Sequence, residues 1–120
     1  RDEASGTRAV YWKKLLKKGP VAVNANIVPS NGAMKSAVSR DPHAIGYVSI
    51  GHLDKTVKAP KLDGVVVNQQ TAMDGSYPVV RKLYMNTKGR PAGIVEAFVD
   101  YITGPDGVGF ITSSGYIAIK

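Results

Sequence analysis

Residues 1–19 read RDEASGTRAVYWKKLLKKG. Ala9, Trp12, Leu15 and Leu16 recur at helical spacing and predict a helix from about Thr7 to Lys18 with one apolar face. Ser5 or Thr7 can cap its start, and Gly19-Pro20 stops it. Lys13, Lys14, Lys17 and Lys18 crowd the last turn and a half, where cations suit the negative end of the helix dipole. The other end has two readings. The first backbone N–H groups of a helix are unpaired and carry partial positive charge. Ser5 and Thr7 add hydroxyl donors, Gly6 lets an anion approach the backbone, and Arg1 adds a planar fork suited to two oxygens of an oxyanion. The same residues also make an ordinary N-cap, with Arg1 a frayed end. The seven residues alone leave both open.

The whole chain has 120 residues, enough for one modest core. Apolar residues make up 43% and charged residues 21%, which is globular rather than disordered composition. Apolar runs such as Gly64-Val65-Val66-Val67 are far shorter than a membrane span needs. No apolar leader segment follows the basic start, so the reading is of a cytoplasmic chain or a mature exported one. With no cysteine there is no disulfide and no thiolate chemistry. A net charge of +7 favours anionic partners, whether nucleic acid, acidic surfaces or small oxyanions.

Further along, Val21-Ala22-Val23 reads as a short strand, and Pro29-Ser30-Asn31-Gly32 as a turn leading into a helix over Ala33 to Ser39. Residues 45–50 alternate as a strand does. Residues 57–62 and 65–67 are strand candidates on either side of Asp63-Gly64, a hairpin-type turn pair. Gln69 to Met73 forms a short helical turn, and Tyr77 to Met85 is the longest extended stretch. A third helix runs from about Ala92 to Ile102 with the stripe Ile94, Val95, Phe98, Val99 and Ile102, ended by Gly104-Pro105. A short helix over Gly107 to Thr112 and an extended Tyr116 to Ile119 close the chain. Alternating strands and helices imply an α/β or α+β fold.

Catalytic patterns are absent from the sequence. His43 and His52 belong to no metal-ligand spacing, so no metal site is expected. The nine carboxylates offer no acid and base pair, no G-x-S-x-G elbow occurs, and no P-loop is present. By these patterns no residue is nominated for catalysis, metal binding or nucleotide binding.

Arg1-Asp2-Glu3-Ala4-Ser5-Gly6-Thr7-Arg8 resembles the R-x-x-x-S-G-T motif of the phosphate-binding proteins that serve phosphate ABC transporters, the Pst type. The likeness continues in order through Ser30-Asn31-Gly32-Ala33, residues 44–49 (AIGYVS), residues 77–84 (YPVVRKLY) and Thr87-Lys88-Gly89. It ends with residues 97–102 (AFVDYI) and Gly115-Tyr116-Ile117, so it covers essentially all of the chain.

The resemblance implies a type II periplasmic-binding-protein fold, in which two α/β lobes close on phosphate. The chain would be its second lobe, a mixed sheet flanked by helices, plus the C-terminal return segment. It implies a phosphate-binding lobe over residues 1–80 and a crossover strand with C-terminal helices over 81–120, or one compact domain over 1–120. Carried over residue by residue, phosphate binding falls on Arg1, Ser5, Gly6 and Thr7, with Ser30, Asn31 and Gly32 lining or bracing the cleft.

The implied function is capture of inorganic phosphate for the membrane permease of an ABC transporter. The implied location is periplasmic, or extracellular and membrane-anchored. Family members are much longer, and their first lobe supplies further donors and the aspartate that takes a proton from phosphate. The sequence is therefore expected to need that N-terminal lobe, or a second copy, over apolar surface at Phe98, Ile102 and Phe110. A smaller departure is Pro105-Asp106-Gly107-Val108, where the family usually carries Gln after the Gly. Two other readings compete: a nucleic-acid module using the lysines of residues 13–18, and an oligomerising lobe without useful ligand affinity. Under the resemblance no nucleic acid is expected.

Overall fold

Helices supply almost all of the regular structure in the computed structural model, which describes residues 1–118. The chain divides into two units, Arg1–Arg81 and Lys82–Lys120.

In the first unit, α1 (Gly6–Lys14) starts where extended Ser5 turns its Oγ onto the N–H of Arg8, 3.2 Å away. The helix stops at Lys14, short of the expected Lys18. Lys17 and Lys18 adopt φ of 50° and 65°, left-handed backbone that costs a residue with a β-carbon roughly 1 kcal/mol or more. Local bonds offset that cost: Trp12 Nε1 donates to the Gly19 carbonyl at 2.9 Å, and the Gly19 N–H donates to Leu16 O at 2.7 Å. The indole thus closes the end of the helix, which periodicity alone would extend.

α2 (Asn31–Arg40) is capped by Ser30, whose Oγ accepts from the Ala33 N–H at 3.0 Å. Its Met34 is the buried apolar side chain of this unit, 7% exposed. Gly46 lies against it so closely that an added Cβ would stand 2.7 Å from Met34 Sδ and 2.8 Å from Val38 Cγ2. One residue on, the Tyr47 ring stacks on Tyr11 of α1, with centroids 4.1 Å apart and planes 10° apart. Burial there raises the Tyr47 phenol above its ordinary value, so it stays neutral. Residues 44–49 therefore join α1 to α2.

The chain then makes a 3-10 turn at Ile50–His52, and Asp54 reaches back to Lys35 of α2 at 2.5 Å. The hydrogen bonds from Lys35, and then from Thr56, hold the Asp54 carboxyl well below the usual carboxylate range. A depressed folded-state pKa gives stability that is present above the ordinary value of 3.8 and is lost as pH falls below it. Asp54→Asn is accordingly expected to remove part of the acid sensitivity. Urea melts of the two proteins should differ slightly at neutral pH, because the pair is exposed, and converge in acid. A constant difference down to low pH would contradict this role.

The Asp63-Gly64 turn forms as expected. Both residues have positive φ (50° and 81°), and Leu62 and Val65 exchange backbone bonds of 2.9 Å across it. That bridge is the only β-pairing among the described residues, so the mixed sheet expected from the sequence is not seen. Residues 21–23, 45–49 and 77–85 are without helix, but no strand pairs with them. Alternation encodes an extended backbone with two faces; a sheet also needs a neighbour aligned in register. Val23 and Ile45 are correspondingly exposed. α3 (Gln69–Met73) sits where the short helical turn was expected. Asn68 and Thr71 exchange side-chain-to-backbone bonds in a capping box.

The second unit is a helical hairpin. α4 (Ile94–Thr103) and α5 (Pro105–Ser113) share Gly104 as the cap between them. Gly107 of α5 is buried against the end of α4, where a Cβ would stand 2.5 Å from Ile102 Cα. The departure noted at residues 105–108 thus falls at a close helix contact. Ile94 and Phe98 on the α4 stripe are exposed, as is Phe110 on α5, whereas Ile102 is half-buried. Tyr116 to Ala118 carry no regular structure, and Ile119 of the expected closing strand lies outside the described residues.

Candidate functional site

Of the sequence-nominated residues, Ser5, Gly6 and Thr7 stand at the start of α1, and Ser30, Asn31 and Gly32 at the start of α2. Arg1 Nη1 donates to Asn31 Oδ1 at 2.9 Å, linking the motif arginine to the first residue of α2. Asn31 Nδ2 points at Ser49 Oγ at 3.5 Å, and Ser49 Oγ lies 3.5 Å from Thr7 Oγ1. A chain of polar contacts thus runs Arg1, Asn31, Ser49, Thr7, the last two links being long. Arg1 Nε is buried and has no hydrogen-bond partner among the described residues. A buried guanidinium N–H without an acceptor is costly, and an anion beside it would supply one.

Ser5 is buried, and its oxygen is taken up by the Arg8 N–H. The cap and the anion reading are compatible, since a hydroxyl that accepts one bond still has a hydrogen to donate. Gly6 is the first residue of α1, and the space a Cβ would fill there is crowded by Arg81 Nη1, with Cζ 3.2 Å away. Of the three bracing residues, only Asn31 reaches Arg1. Ser30 caps α2, and Gly32 is exposed beside it.

Two neighbours of these residues carry no phosphate-binding role in the motif. Ser49 stands at the end of the 44–49 stretch and Arg81 within 77–84. Both lie in stretches that carry the resemblance, and they reach the start of α1 through contacts remote in sequence. Charges near the helix start are mainly positive: Arg8 meets Glu3 at 3.6 Å, while Arg81 has no ion pair among the described residues.

The lysines of α1 lie elsewhere. Lys13, Lys14 and Lys17 line a groove of about 520 Å³ together with Leu62, Asp63 and Pro78, and Lys14 Nζ donates to the Pro78 carbonyl at 3.3 Å. Another cavity, of about 460 Å³, lies between Tyr101 and Phe110 in the second unit. Among the described residues no group of three or more His, Asp or Glu side chains could hold a metal ion. No helix among them is long and apolar enough to cross a membrane.

Comparison with known proteins agrees with the resemblance of the motif. A phosphate-binding protein PstS 2 from Streptococcus agalactiae is 34% identical over 129 residues, covering 99% of this chain and 44% of that protein. One from Streptococcus pneumoniae is 32% identical, covering 100% of this chain and 44% of its own length. A phosphate-binding protein PstS from Pseudomonas aeruginosa is 30% identical, covering 99% of this chain and 40% of its own. The chain therefore spans less than half the length of these relatives. No solved structure gives a significant match. The model of the PBP superfamily domain matches residues 1–106, and the chain belongs to that family.

Proposed function

We infer that this chain is part of a solute-binding protein that captures inorganic phosphate and delivers it, unchanged, to the membrane permease of an ABC transporter. The observation that carries the reading is its likeness, over 99% or more of its length, to proteins named as phosphate-binding. Arg1 is the anchor, offering its fork to two phosphate oxygens. Ser5 and Thr7 donate from their hydroxyls, and the N–H groups at the start of α1 meet the anion with the helix dipole behind them. Asn31 and Ser49 hold Arg1 and Thr7 in place, and Ser30 and Gly32 fix the start of α2 beneath them. The unpartnered Arg1 Nε supports this arrangement.

In this reading residues 1–80 carry the phosphate side of a type II binding-protein lobe, and 81–120 return toward the other lobe. That lobe, or a second copy, pairs with the extended stretches of this chain and covers Phe98 and Phe110, which are exposed in the second unit. The protein acts outside the cytoplasm and performs no chemistry.

Calorimetric titration of the 120-residue chain with inorganic phosphate tests the reading. Donors on a second lobe are outside this chain, and each charge-assisted hydrogen bond contributes roughly 1.5–3 kcal/mol. Saturable binding in the millimolar range is expected, about 4 kcal/mol of binding free energy. Micromolar affinity would contradict the division of the site between lobes. No binding at all would contradict the reading.

A further inference from the structure

The geometry points to Arg81 as a second guanidinium of the phosphate site, outside the R-x-x-x-S-G-T motif. The inference rests on the phosphate reading above and adds a ligand residue to it. Three observations carry it.

The first is position. A Cβ on Gly6 would collide with Arg81 Nη1 and stand 3.2 Å from Cζ and 3.4 Å from Nη2, so the terminal atoms of the guanidinium all crowd the first residue of α1. The absence of a side chain at residue 6 therefore makes room for this cation as well as for an anion's approach.

The second is attachment. Lys14 Nζ, at the last residue of α1, donates to the Pro78 carbonyl at 3.3 Å. The stretch 78–81 is thus tied to the far end of the same helix whose start carries Arg81.

The third is charge. Arg81 is exposed, and among the described residues it makes no hydrogen bond and no ion pair. A cation at the positive end of a helix dipole is unfavourable by itself, and Arg1 and Arg8 add the same sign. An anion seated between the helix start and the guanidinium reverses the balance. Its oxygens accept from the backbone N–H groups on one side and from Arg81 on the other. Phosphate, doubly charged and tetrahedral, has oxygens enough for Arg1 and Arg81 together.

Phosphate titrations followed by NMR on the chain and its variants test the assignment. Arg81→Ala is expected to raise the dissociation constant for inorganic phosphate about tenfold or more, with no change in melting temperature because the side chain is exposed. Arg81→Lys, which keeps the charge and loses the fork, should recover part of the loss. Lys82→Ala, the neighbouring basic residue, should leave binding unchanged. If Arg81→Ala binds as the parent does while Arg1→Ala does not, the role of Arg81 is overturned and the phosphate reading stands. An equal loss in Lys82→Ala would replace the specific contact with general charge, and would likewise overturn it. A parent chain without saturable binding overturns both.

Discussion

Replacing Arg1 by alanine is expected to weaken phosphate binding about ten- to a hundredfold, the loss of one charge-assisted fork. The substitution takes away the group that Asn31 holds at 2.9 Å and the buried Nε that lacks an acceptor. The start of α1 remains, with its cap from Ser5 intact, so residual binding by backbone N–H groups should persist. Arg1→Lys should fall between the two, since a point charge cannot meet two oxygens in one plane. Titration with inorganic phosphate reads all three proteins. Affinity unchanged in Arg1→Ala would mean that Ser5 and Thr7 only cap the helix and that Arg1 plays no part in binding.

The largest expected effect on stability comes from Met34→Ala. Met34 is the buried apolar side chain of the described residues, and Gly46 and Val38 close around it. Truncation there should cost about 2 kcal/mol, the low end for such changes, because half-exposed neighbours can settle into the space. Urea denaturation measures it. The consequence reaches the site: residues 44–49 lean on Met34 through Gly46, and the same stretch carries Tyr47 onto Tyr11 and Ser49 toward Thr7. Phosphate affinity should drop as well. A variant with unchanged melting would show that this contact does not hold the stretch in place.

What could be read from the sequence was mostly local. Ser30 before α2, Asp63-Gly64 at the turn and Gly104-Pro105 between α4 and α5 act through bonds a few residues long, and the structure has them where the sequence suggests. α1 ends earlier than its periodicity predicts because the Trp12 indole bonds a carbonyl beyond the helix, which apolar spacing does not register. The expected sheet is not formed among the described residues for a related reason. Alternation in residues 45–50 describes one strand's two faces, and pairing depends on a second segment that alternation does not name. At the site, Arg1, Ser5, Gly6 and Thr7 were legible as a motif. Ser49 and Arg81 lie in matched stretches without a motif role, because only contacts remote in sequence bring them to Thr7 and Gly6.

Phosphate is proposed to sit at the start of α1. An amide chemical-shift map of the isotope-labelled chain during a titration with inorganic phosphate tests it most directly. Saturable shifts concentrated on the N–H groups of Gly6, Thr7 and Arg8, and on the Asn31 side-chain amide, are the predicted result. Shifts confined to the lysines of residues 13–18, or none at the start of α1, would contradict it.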